Sequence, residues 1–181
     1  TLIVIFIAIA FTSCKSVLKM TYGIKKPKQE NKESLMEYLS SKKLNSQNVL
    51  LIKSKKNYNS IFERFGGMPE AILFDSEGYE LSFKEKGENC NALLSSMISN
   101  LNTKTNFKKS DKEDLLEFIE LFIDLEDKEV QKITKSDFYL FINWAKFTGK
   151  LNKIVKDWEQ LAEDNNSVNI KVYKVNMDLK V

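Results

Sequence analysis

Histidine is missing from the 181-residue sequence. Its absence removes the commonest general base and the commonest biological metal ligand together. Arg64 is the only arginine, so the planar fork that suits phosphate and guanine contacts is nearly absent. With 28 basic against 25 acidic residues and a formal charge of +3, the chain has none of the charge excess of a nucleic-acid binder. There is no glycine-rich phosphate cradle, no clustered metal-ligand spacing and no Ser/His pair. These gaps leave no cofactor and no metal to expect. Cysteine occurs only at positions 14 and 90.

Against these absences stands one dense apolar run, Thr1 to Phe11, followed by Thr12, Ser13 and Cys14. An unbroken apolar stretch, two small residues and a cysteine read as a bacterial export signal ending in a lipoprotein cleavage box. The run is shorter than the ~20 residues needed to span a bilayer. The expectation is cleavage after residue 13, acylation of the Cys14 sulfur, and a membrane partner reached through that lipid. No methionine or basic residue precedes Thr1, which reads as a clipped amino end. If Cys14 carries lipid, Cys90 has no intramolecular partner. Residues 14–33, lysine-rich and broken by Pro27, read as the lipidated cysteine and a flexible tether. The rest of the chain, 34–181, is one domain's length, built from halves at 34–104 and 110–181.

Along that body, Ser34-Leu-Met-Glu37 reads as a capping box opening a helix with Leu35, Tyr38 and Leu39 on one face. Val49–Ile52 is a continuous apolar run, expected as a strand covered on both sides. Tyr58, Ile61, Phe62 and Phe65 recur at helical spacing before Gly66-Gly67. Strands are expected at 70–74 and 79–83 around the turn Asp75-Ser-Glu-Gly78, then an amphipathic helix bearing Leu93, Leu94, Met97, Ile98 and Leu101. Residues 102–110 read as a linker. Ser110-Asp-Lys-Glu113 reads as a second capping box, with Leu115, Phe118, Ile119, Phe122 and Ile123 turned inward on a helix. Phe138–Asn143 is the strongest central-strand candidate. A turn through Thr148-Gly149 leads to a helix with Leu151, Ile154, Val155, Trp158, Leu161 and Ala162 on its buried stripe, and Ile170–Met177 closes the series as a strand.

Two segments resemble the thioredoxin fold. Phe65-Gly-Gly-Met-Pro69-Glu-Ala-Ile-Leu-Phe74-Asp-Ser-Glu-Gly78 is similar to the family's second half, and the resemblance makes Pro69 the cis-proline. Phe141-Ile-Asn-Trp144-Ala-Lys-Phe-Thr148-Gly149-Lys150-Leu151 is similar to the first half, where Trp-Ala leads into Cys-Gly-Pro-Cys. Thr148 and Leu151 stand at the two cysteine positions, Gly149 is kept and Lys150 replaces proline. The halves come in the reverse of the family's order. The expectation is an α/β domain, a thioredoxin-like mixed sheet of about five strands flanked by helices, circularly permuted. Parallel crossovers would run from Val49–Ile52 to Phe74 and from Phe138–Ile142 to Val175. The competing picture is two incomplete lobes.

Thiol exchange needs a thiolate at a helix start and a resolving thiol one turn on, which Thr148 and Leu151 cannot provide. Glu126-Asp127 and Glu163-Asp164 read as solvated faces, and Trp144 and Phe147 as core or groove lining. The resemblance implies a peptide-binding surface that survives the loss of cysteines. The chain therefore reads as a non-catalytic, membrane-anchored lipoprotein of the cell envelope, facing the periplasm, with a protein or peptide partner and no nucleic acid. The alternatives are a single-cysteine redox protein acting through Cys90 and a structural envelope lipoprotein.

Overall fold

The structure is a computed structural model that describes residues 19–83, 91–130 and 133–180. Cys14, the leader before it, and Cys90 lie outside the described residues.

The body is an α/β domain with a mixed open sheet flanked by helices. Strand β1 (Gln29–Glu30) precedes helix α1 (Lys32–Lys42), then come β2 (Val49–Ile52), α2 (Tyr58–Phe65), β3 (Ala71–Asp75) and β4 (Tyr79–Ser82). The chain continues through α3 (Asn91–Asn100), β5 (Lys108–Glu113), α4 (Leu115–Ile119), β6 (Phe122–Asp124) and β7 (Phe138–Trp144). It ends with a 3-10 turn (Lys146–Leu151), α5 (Asn152–Glu163), β8 (Ile170–Asn176) and β9 (Leu179–Lys180).

The main sheet runs β5-β4-β3-β7-β8-β2-β6, and β1 pairs with β9 apart from it. Seven strands replace the expected five or so. The two halves share one sheet, because β3 and β7 pair antiparallel from Ala71↔Ile142 to Asp75↔Phe138. All seven residues of β7 are buried, as an apolar strand between two neighbours must be.

The crossover from β7 to β8 is parallel as expected, in register from Phe138↔Ile170 to Trp144↔Asn176. The crossover from Val49–Ile52 to Phe74 is not. β2 runs parallel to β8, β8 parallel to β7, and β3 opposite to β7. β2 and β3 therefore point in opposite directions with two strands between them.

Four local expectations also change. Helix α1 is capped by Asn31, whose Oδ1 accepts the Ser34 N–H at 2.9 Å; an amide cap of this kind is worth about 1 kcal/mol. The Ser110–Glu113 segment is not a cap but part of β5, paired with β4. Phe122 and Ile123 belong to β6, antiparallel to β2, and the helix between is only Leu115–Ile119. Finally, residues 19–33 do not hang clear of the body. Lys25 N–H donates to the Phe147 carbonyl at 2.8 Å, and Gln29–Glu30 pairs with Leu179–Lys180.

Each sheet face has its own core. On one, Leu35 and Leu39 of α1, Leu94 and Ile98 of α3, and Val155, Trp158 and Ala162 of α5 cover Leu51, Leu73, Leu140, Ile142 and Val172. On the other, Ile61, Phe65, Leu115, Phe118 and Ile119 cover Leu50, Ile72, Phe74, Phe141 and Val175. Full burial of each such side chain contributes about 1.5–3 kcal/mol.

Candidate functional site

The buried end of β7 delivers Trp144 and Ala145 to the turn that precedes α5. Trp144 is 1% exposed and stacks on Tyr38 of α1, with centroids 6.0 Å apart and planes 14° from parallel. Thr148 is buried; its hydroxyl lies 2.7 Å from the Ala145 carbonyl and 2.9 Å from Asn152 Oδ1. Both neighbours are acceptors, so the hydroxyl serves to brace the turn. Asn152 in turn donates to the Ala145 carbonyl at 2.8 Å and to the Tyr38 hydroxyl oxygen at 2.7 Å.

Gly149 has φ 61° and ψ −119°, a conformation that side chains disfavour. It also has no room for one. A Cβ there would stand 2.5 Å from the carbonyl oxygens of both Tyr22 and Gly23. The Tyr22–Lys25 main chain thus lies directly on the turn. Leu151, half-buried, closes the turn before the helix.

Pro69 is buried, and the Met68–Pro69 peptide bond is cis. Asn143 of β7 holds the chain on both sides of it: its Nδ2 donates to the Gly67 carbonyl at 2.7 Å and its Oδ1 accepts the Glu70 N–H at 2.7 Å. The Asn143 N–H also donates to the Glu70 carbonyl at 2.9 Å. The end of β7 therefore holds the proline segment through Asn143 and leads through Trp144 and Ala145 into the turn that carries Thr148, Gly149 and Leu151.

A polar cluster borders this loop. Lys146 Nζ lies 2.6 Å from Glu30 Oε2, and it also bonds Ser34, whose hydroxyl donates to Glu30. Burial alone would raise the Glu30 pKa, but the bonds from Lys146 and Ser34 and the Lys146 charge outweigh it and hold the carboxyl below its ordinary value. Asp178, just past β8, accepts the Lys146 N–H at 2.7 Å and Asn176 Nδ2 at 2.9 Å. Burial nevertheless raises its pKa, with the Glu30 charge adding to the shift and these bonds opposing it. Burial likewise raises the Tyr38 hydroxyl, with the Asn152 bond opposing.

Sequence reasoning did not single out Tyr38, Asn143, Lys146, Asn152 or Asp178 as site residues. A signal existed for Asn143, an amide inside the otherwise apolar run Phe138–Trp144, since a buried amide needs partners. The others depend on contacts between distant segments. Among the described residues no group of three or more His, Cys, Asp or Glu is placed to hold a metal, and no helix is long and apolar enough to cross a membrane. The chain matches no protein-family model, no curated protein and no solved structure.

Proposed function

We propose that this chain is a lipid-anchored, non-catalytic thioredoxin-like module of the bacterial cell envelope that binds an extended polypeptide. The observation that carries the reading is the seating of the protein's own main chain, Tyr22–Lys25, on the Lys146–Leu151 turn, with Lys25 N–H donating to the Phe147 carbonyl. A backbone laid on backbone is how a groove accepts peptides of varied sequence. The pairing of the Pro69 hairpin against β7 supports a permuted thioredoxin-like order, in which the hairpin precedes the turn along the chain. Thr148, braced between two acceptors, supports a binding role in place of thiol exchange. The lipid on Cys14 would supply the membrane partner and the periplasm-facing location.

The test uses the full chain expressed in a bacterial host. An alkyne analogue of palmitate should label the protein and leave Cys14→Ser unlabelled. A photo-crosslinking side chain at Met68 or Phe147 should capture envelope polypeptide, while one at Lys108 should not. Soluble, unlabelled wild type would overturn the anchor. Disulfide reductase activity that disappears in Cys90→Ser would overturn the non-catalytic reading in favour of the single-cysteine alternative.

A further inference from the structure

The cavity beside the Gly149 turn has a charge pattern that peptide binding does not account for. It measures about 770 Å³ and forms where the Tyr22–Lys25 segment, α1, the turn and α5 meet. Six lysines line it, Lys25, Lys42, Lys146, Lys150, Lys153 and Lys156, against a single carboxylate, Asp157. Two of the six are matched: Lys146 by Glu30 at 2.6 Å, and Lys153 by Asp157 at 2.7 Å. Lys25, Lys42, Lys150 and Lys156 have no ion-pair partner among the described residues. The other large cavity, about 570 Å³, balances Lys32 and Lys171 with Asp124, Glu126 and Glu129. The excess of positive charge therefore sets this cavity apart from that one, within the same lysine-rich chain.

We propose that this cavity binds a phosphate-bearing ligand with an apolar or aromatic portion. Several unmatched ammonium groups around one concavity repel one another and focus a positive potential into it. A multivalent anion relieves more of that repulsion than a single carboxylate does. Lysine, a compact charge on a flexible stem, suits phosphate without demanding the planar geometry of arginine. The floor supplies a neutral donor. The Tyr38 hydroxyl accepts from Asn152 at 2.7 Å, so its own proton remains available to a ligand. The Tyr38 ring, Tyr22 and Leu44 give the apolar wall that a bare inorganic ion would leave unused. The volume falls in the range of small-molecule sites. The phosphate could belong to a soluble molecule or to a lipid headgroup, and the chemistry required of the cavity is the same. This inference uses neither the lipid on Cys14 nor the thioredoxin resemblance.

The experiment takes the full chain carrying Cys14→Ser, so that an acyl group cannot itself hold it to a bilayer. Two probes are used: pyrophosphate in equilibrium dialysis, and flotation with phosphatidylglycerol vesicles against phosphatidylcholine vesicles. Binding of pyrophosphate identifies a soluble ligand class; binding confined to phosphatidylglycerol vesicles identifies a headgroup. In either case Lys150→Glu with Lys156→Glu should weaken binding at least about tenfold, while the control pair Lys55→Glu with Lys56→Glu leaves the cavity probe within about twofold. Failure of both probes to bind, or equal weakening by the two pairs, overturns the site. A failed acyl-labelling or crosslinking result leaves these measurements unaffected, so the two proposals fail separately.

Discussion

On one face of the sheet, helices of eleven, ten and twelve residues lie over leucine, isoleucine, valine and Trp144, with Trp158 of α5 packed among them. On the other, helices of eight and five residues lie over a knot of aromatic rings. Phe118 is the hub of that knot, with ring centroids 5.1 Å from both Phe122 and Phe141, 5.7 Å from Phe74 and 6.3 Å from Phe65. Arg64, the sole arginine, lies over the Phe118 ring at 4.5 Å and is tied to Asp114 at 2.7 Å. A short helix presents few side chains, so each must cover more of the sheet, and an aromatic ring buries the most area per residue. Long helices can use smaller side chains and have room for a polar pair. The aliphatic face has one: Lys174 of β8 and Glu159 of α5 form a buried ion pair. The lesson is that a short helical cover leans on a cluster of rings, while a long one spreads burial over many side chains.

The contrast breaks most severely at the ion pair. Glu159→Leu leaves the Lys174 ammonium buried without its partner and should cost about 3–5 kcal/mol, read from urea unfolding. Adding Lys174→Met should recover most of that loss, because an apolar pair of similar volume suits this face. A double variant as unstable as the single would show that the pair is needed for its own sake. On the aromatic face, Phe118→Leu keeps much of the volume but removes the ring contacts, and should cost about 2 kcal/mol. A volume-conserving change on the aliphatic face, Leu140→Met, should cost about 1 kcal/mol or less.

The faces also separate by pH. Burial pushes the Tyr173 hydroxyl from 10.0 up to about 12, and the ring stacks on Phe141 at 4.9 Å. A raised folded value means this contribution is fully present below pH 10 and is lost as pH rises through about 12. Tyr173→Phe should therefore flatten the alkaline end of the stability profile between those values. On the aliphatic face Glu159 is raised above 4.5 by burial, with Lys174 opposing. Its contribution also falls as pH rises, but from that acid value, so the two faces titrate at opposite ends of the scale.

The elements that carry their own pattern were legible in the sequence. Phe138–Asn143 reads as a central strand because a mostly apolar run of that length suits burial on both sides, and the stripe Val155, Trp158, Ala162 orients α5 unaided. The misreadings fall where tertiary pairing overrides local preference. Lys108–Glu113 has a polar composition that suits a helix cap, yet it becomes a strand because β4 offers a free edge and Lys109 reaches Asp75 at 2.6 Å and Glu77 at 2.8 Å. Phe122 and Ile123 continue the helical spacing of Leu115 and Phe118, but β2 has an unpaired side that captures them. At the candidate site, Trp144, Thr148 and Gly149 could be placed at one turn from sequence alone. Tyr38, Glu30 and Asp178 could not, since each reaches the turn from a different part of the chain.

The two borders of the sheet have a consequence for crowding. At one end β6 is three residues long. At the other, β5 presents Lys108, Lys109 and Asp111, side chains that prefer water to the flank of a second chain. A short border and a charged one are poor templates for strand addition. Copies gathered at high density should slide past one another without zippering, and the sheet ends where the molecule does.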